Sequence, residues 1–303
     1  MGMTYVSLAA LYGALLSLMN TANAQLSALY GNWAATVMIH LVGLVVLLPL
    51  AFTWGRPKGR APWYQYTGGL IGILSVVFVN IGVSGIGVTA NLVLMLLGQV
   101  TCSAVVDHFG LLGAAVHRMN PGKLLSMGVM ALGCGAMLAL SGETLSGGSV
   151  LAAAVSFLSG WTMIFARMAN AALATRCGMG YSTVMNYVTG LLGSLAVFAA
   201  MGLPMSTAFP APGQSLLIYT GGALGALGIF LANVVTPRLP ALQMSLIVFV
   251  GQVFSGMGID ALLGRFSLGT LVGGVLVAAG MIGNMRADRM EALHGTHHQP
   301  EES

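Results

Sequence analysis

Long apolar runs, separated by short joints rich in glycine, proline and polar residues, fill this chain almost from end to end. A helix needs roughly 20 predominantly apolar residues to cross a bilayer. Ten runs approach that length: residues 4–24, 34–53, 66–84, 89–106, 122–140, 150–171, 181–202, 215–235, 241–259 and 269–285. The joints carry helix breakers, as in GRPKGRAP, SGETLSGG and LPMSTAFPAPG. The pattern predicts an all-α protein embedded in a membrane through ten transmembrane helices. Residues 287–303 are polar, include His294, His297 and His298, and are expected to form a solvated, disordered tail.

Composition supports this. Only 6% of residues are charged and 57% are hydrophobic, too little charge to solvate a water-soluble surface of this size. The 43 glycines suit membrane helices that approach closely. Cys102, Cys134 and Cys177 are odd in number and unclustered, so they read as small packing residues, with no disulfide framework and no metal site. The first run has no basic region before it and no cleavage site, and reads as a retained helix. With the N-terminus placed in the cytoplasm, nine of the 11 Lys and Arg residues fall in inward segments. Arg167 then lies within a helix towards the same side, and only Arg265 faces outward. The excess of basic residues on the cytoplasmic side of membrane proteins therefore places both termini inside. The net charge of +4 follows from topology, and no basic patch interleaved with stacking aromatics suggests a nucleic-acid partner.

The chain also repeats itself. ANAQL (residues 22–26) returns as ANAAL 147 residues later, and Gly31, Thr36, Val37, Met38 and Gly43 recur at the same offset. TGGLIG from Thr67 returns as TGGALG 153 residues later. That second offset also pairs Asn80 with Asn233, Gly98 with Gly251, Gln99 with Gln252 and Asp107 with Asp260. Each copy holds five spans. Five is odd, so the second copy must enter the bilayer upside down, giving an inverted repeat with a pseudo-twofold axis in the membrane plane. The domains are a first repeat over residues 1–142 and a second over 148–286. Such a molecule can open to either side around a site near the midplane; duplication of a helix-packing unit without transport is the plainer alternative.

The phrases LGQVTCSAVVDHFG and VGQVFSGMGIDALLGRF, with ANAQL and TGGLIG before them, resemble the YdcZ-type branch of the drug/metabolite transporter superfamily. The resemblance covers nearly the whole chain as two family domains in tandem and ends near Arg286. It implies an EamA-like fold and a multi-pass protein of the bacterial inner membrane, and it implies no particular substrate. The second copy departs from the first in carrying Ala261 where the first has His108, and Met19 and Asn20 stand where family members often carry Gln before the first-helix Asn.

Polar residues inside a membrane need a partner or a cavity. Asn91, Met95, Gln99, Ser103 and Asp107 form a stripe at i+4 steps, and Gln252, Ser255, Gly256 and Asp260 do much the same in the second copy. Gln99 and Gln252 fall near mid-depth and are candidates for lining a substrate cavity, against interhelical hydrogen bonding alone. Asn23, Asn170, Asn80, Asn233, His40 and its repeat mate Tyr187 are further cavity candidates. Asp107, with His108 beside it, and Asp260 fall at opposite mouths, where they could gate or couple an ion, or pair with nearby basic residues. Arg167 replaces Asn20 of the first copy. A gate formed with Asp107 competes with snorkelling to the interface. No acidic residue lies mid-membrane. The proton exchange that small multidrug exporters of this superfamily run through a carboxylate on the first helix therefore does not carry over.

The function these residues favour is secondary transport, export above import, of a small polar organic metabolite by alternating access. A membrane scaffold and a facilitative channel are the alternatives. No G-x-x-x-x-G-K-[ST] phosphate loop and no H-E-x-x-H metal motif occurs, so neither ATP drive nor enzymatic chemistry is expected, and no cofactor. The partners are the bilayer, the substrate and a coupling proton or ion. A homodimer through the glycine-rich fifth and tenth runs stays open, since internal packing explains those glycines equally well.

Overall fold

The computed structural model describes residues 2–54, 56–86, 88–140, 150–203, 215–262 and 268–296. Ten α-helices run through them and no strand does: α1 (Gly2–Tyr30), α2 (Asn32–Trp54), α3 (Gly68–Ile86), α4 (Val88–Phe109), α5 (Pro121–Ala139), α6 (Val150–Cys177), α7 (Met179–Ala200), α8 (Thr220–Val235), α9 (Ala241–Leu262) and α10 (Leu268–Thr296). Each expected run corresponds to one helix. Eight helical segments are long and apolar enough to cross a membrane, and Leu271–Ala287 is a shorter apolar helix. The last helix continues to Thr296, well into the segment expected to be an unstructured tail. Arg265 and residues 297–303 lie outside the described residues.

The outer surface is apolar. Val45, Val46 and Leu48 on α2, Leu124, Leu125 and Leu132 on α5, and Leu192 on α7 all point away from the protein. A soluble protein hides such side chains, whereas lipid chains solvate them. The interior holds apolar side chains such as Phe198, Met130 and Leu246 and, among them, fully buried Ser103, Ser156, Ser159, Ser182 and Thr183.

The two halves interlock by exchange, not by lying side by side. In the first half α3 and α4 pack on α6 of the second; in return α8 and α9 pack on α1. Likewise α2 packs on α8 and α7 on α3. The pairs α2–α7, α4–α9 and α5–α10 each join a helix to its own repeat mate, and these self-pairs mark where the pseudo-twofold axis passes.

The duplicated glycines make the exchange possible. A Cβ on Gly98 would run into the Phe157 carbonyl of α6, and one on Gly251 into the Ala10 carbonyl of α1. From the opposite side, a Cβ on Gly160 would run into Met95 O and lie 2.5 Å from the Gln99 amide nitrogen, while one on Gly13 would run into Val248 O and lie 2.9 Å from the Gln252 amide nitrogen. Phe157 and Ala10, and Met95 and Val248, are themselves repeat mates. The Gly-Gln phrase is thus written twice because each copy builds one backbone-to-backbone crossing, α4 on α6 and α9 on α1. The TGG phrase does the same at α3 and α8. Gly68 and Gly221 lie under the side chains of Asn170 and Asn23, and Gly69 and Gly222 under the backbones of α7 and α2. At α5–α10, a Cβ on Gly133 would come within 2.8 Å of Gly273 O and one on Gly280 within 2.8 Å of Ser126 O, again a reciprocal pair. Without a hydrophobic force to drive helices together in lipid, such close small-residue contacts supply the association by van der Waals packing.

Candidate functional site

At the end of the bundle that carries Arg176 and Arg238 there is a cleft of about 560 Å³, lined by residues that include Gln65, Asp107, His117, Thr236 and Ala241. Its inner limit is a bond between halves. The Asp107 carboxylate accepts one hydrogen bond from Ala241 N and one from Leu242 N, each 2.7 Å. These are the first two amides of α9, which an α-helix leaves unsatisfied. The residue preceding α9 is Pro240, whose ring offers no acceptor. A carboxylate 134 residues upstream therefore caps the helix in its place, and its negative charge complements the positive end of the α9 dipole. Asp107 is buried at 3% exposure, and its own carbonyl accepts from His117 N in the loop that follows α4.

One turn deeper along both helices, Ser103 of α4 and Ser245 of α9 share a hydrogen bond of 2.7 Å. Arg167 of α6 joins them by donating from Nη2 to Ser245 Oγ at 2.6 Å. Tyr12 of α1, Cys102 of α4 and Asp107 lie close enough to act on this guanidinium electrostatically. Arg167 and Asp107 are thus brought to one region, but each is bonded to α9 and not to the other. Where the four helices α1, α4, α6 and α9 meet, Arg167 of α6 faces inward onto a serine pair, whereas Arg176 in the last turn of the same helix lines the cleft.

The remaining candidates divide between this core and the joints between helices. Gln99 is half-buried, with Nε2 3.7 Å from Met163 Sδ of α6, and Gln252 is half-buried on α9. Asn170 is buried, donates from Nδ2 to Asn186 Oδ1 at 2.7 Å, and accepts from Ser182 Oγ on its carbonyl. The equivalent Asn23 has a buried Oδ1 with no hydrogen-bond partner, and Ile39 stands where the second half has Asn186, so the bond made by Asn170 Nδ2 has no counterpart here. Tyr187 is buried and donates to the Gly222 carbonyl of α8 at 2.8 Å. The His40 ring lies 5.7 Å from the Tyr187 ring, and its Nδ1 donates to the Thr36 carbonyl at 2.8 Å. These two repeat mates meet on the pseudo-axis, each seated on the other's glycine, Gly190 and Gly43. Asn233 is buried and donates to Thr183 Oγ1 at 3.2 Å, while Asn80 is half-buried on α3. His108 accepts from Met119 N at 3.2 Å and so braces the loop after α4. Asp260 belongs to α9, and its side chain lies outside the described residues.

Tyr187 therefore ties α7 to α8, while Asn23 and Asn170 pack over Gly221 of α8 and Gly68 of α3. Replacing Tyr187 with phenylalanine removes one buried bond and is expected to cost about 1 kcal/mol, read as a lower melting temperature of the purified protein in detergent. An unchanged melt would deny the α7–α8 tie. Sequence inspection missed Ser245, Asn186 and Tyr12. Each is an ordinary residue in an apolar run, and only its position opposite Arg167 or Asn170 makes it part of the arrangement.

The sequence profile of a family described as "Putative inner membrane exporter, YdcZ" matches the chain twice, over residues 4–136 and 151–283. No curated protein matches it. Among solved structures, 28 chains match. One, described only as "Crystal structure of protein", superposes with a TM-score of 0.70 at 14% identity, covering 95% of this chain and 98% of that one. At that identity the likeness extends to the fold.

Proposed function

The chain belongs to the YdcZ family of inner membrane exporters as a tandem pair of family domains, and from that premise we propose that it is a secondary transporter working by alternating access. The cargo is a small polar organic metabolite moved out of the cytoplasm, with both termini on the cytoplasmic side. The observation that carries this is the reciprocal packing of α4 on α6 and of α9 on α1. Two inverted halves joined by equivalent crossings have two nearly isoenergetic arrangements, one open to each side. The cleft at the basic end would be the cytoplasmic vestibule, and Asp107 on the α9 amides its lock. Gln99 and Gln252, beside the two glycine crossings, would line the path that the rocking halves uncover in turn, with Asp260 serving the outer mouth.

The full chain in proteoliposomes, given a panel of labelled metabolites with and without a pH gradient, tests this. Saturable flux with counterflow is expected, and Gln99→Ala and Gln252→Ala are each expected to slow it about tenfold, the equivalent of about 1.4 kcal/mol. Flux without counterflow or saturation would mean a channel. No flux for any member, with the protein correctly inserted, would leave an assembly role and defeat the proposal.

A further inference from the structure

We infer that the cargo carries a carboxylate and that Arg167, assisted by Tyr12, is its anchor. The inference deepens the transporter proposal and takes its physiological meaning from it, but the binding it specifies can be measured alone.

A guanidinium is permanently charged and carries five N–H donors. Placing one within a membrane bundle is expensive unless an acid, a cavity or several acceptors receive it. Among the described residues Arg167 makes one hydrogen bond, to Ser245, and no ion pair. Its Nε is buried with no hydrogen-bond partner. The acid in its neighbourhood, Asp107, has both oxygens on the α9 amides. The side chain as a whole is only half-buried, although α1, α4 and α9 stand around it. Tyr12, within electrostatic range on α1, makes no hydrogen bond among the described residues. A guanidinium with an unbonded donor and a tyrosine within its electrostatic range thus come from opposite halves.

Twofold symmetry makes the feature sharper. The repeat mate of Arg167 is Asn20, that of Tyr12 is Ser159, and that of Ser245 is Leu92. The packing glycines are duplicated, whereas this trio occurs once. A residue that binds a single asymmetric cargo is needed in one copy only. The charge sets the class. One cation with an unbonded Nε–H matches a monocarboxylate, a pairing that is charge-assisted. A phosphomonoester dianion would bring an excess negative charge to one guanidinium, and an amine would meet repulsion.

The experiment compares three sets of ligands on the purified full chain: small monocarboxylates including amino acids, their neutral amides and methyl esters, and phosphomonoesters and amines of similar size. Binding is read by ligand-induced thermal shift and calorimetry in detergent, and transport by counterflow in proteoliposomes. At least one carboxylate should bind at least about 100-fold more tightly than its own amide, the discrimination expected when a charge-assisted pair is lost. That comparison uses the unaltered protein, so it stands even where a variant fails to fold. Arg167→Gln should abolish the discrimination, Arg167→Lys should restore part of it, and Tyr12→Phe should weaken carboxylate binding several-fold. Selective binding of amides, amines or phosphomonoesters, no binding by any carboxylate, or undiminished discrimination in a folded Arg167→Gln protein would each overturn the inference. Carboxylate binding without flux would instead defeat transport and leave the anchor standing, while flux confined to neutral or cationic molecules would do the reverse.

Discussion

Gly98→Leu is expected to prevent assembly of the bundle, and Gly251→Leu to do so equally. At either site the first side-chain carbon already overlaps a backbone carbonyl of the facing helix, Phe157 O or Ala10 O. A backbone atom cannot rotate away as a side chain can, so the helices must separate, and the reciprocal glycines Gly160 and Gly13 lose their own contacts. Overpacking a tight interior typically costs 1–3 kcal/mol or more, and an isobutyl group exceeds the usual case. Even alanine should lower the melting temperature at these sites. The controls are Gly128→Leu and Gly135→Leu on α5, where a Cβ meets nothing within 4 Å. These should yield monodisperse protein with a near-normal melt in detergent. Should Gly98→Leu and Gly135→Leu behave alike, the exchange of helices between the halves is wrong.

The second large effect should follow from Asp107→Ala. It strips the cap from α9 and leaves two helix-end amides and the Ser103–Ser245 pair facing the cleft. A lost N-cap costs up to about 2 kcal/mol, and hydrogen bonds to a charged group about 1.5–3 kcal/mol each, without full additivity. Part of this should appear as a lower melting temperature and part as opening. In a chain with its three native cysteines replaced, a cysteine at Ser103, fully buried in the native arrangement, reports the opening. Its reaction with a membrane-impermeant maleimide from the cleft side should quicken about 30-fold when Asp107 becomes alanine, the population shift that about 2 kcal/mol produces. Asp107→Asn keeps one acceptor and should fall between. Equal labelling in all three proteins would show that Asp107 closes nothing.

Much of the fold was legible beforehand because the bilayer constrains it so strongly. Helix number and approximate ends follow from run length and breakers, and the offsets between ANAQL and ANAAL and between the two Gly-Gln phrases exposed the duplication. The site was less legible. Asp107 was a candidate for gating, ion coupling or pairing with a basic residue; that its carboxylate caps a helix beginning 134 residues later was not foreseen. Asn170 and Tyr187, expected at a cavity wall, are committed to Asn186 and to the Gly222 carbonyl. Arg167 was recognised as anomalous from its type and depth, yet Ser245 and Tyr12 could not be named as its companions.

The reason lies in what lipid does to sequence pattern. In water, an apolar stripe tells which face of a helix meets the protein. In a membrane both lipid and protein interior accept apolar side chains, so the stripe vanishes and helix pairing leaves little mark beyond the glycines. The sequence alone therefore determined ten helices, their duplication and the inverted entry of the second copy, since each depends on local hydropathy and on counting crossings. Only the tertiary structure decided that α4 belongs to α6 and α9 to α1, that a carboxylate at the end of one half caps a helix of the other, and that a single guanidinium is left with open donors among four helices. Those depend on contacts across more than a hundred residues, which close packing of the whole bundle selects.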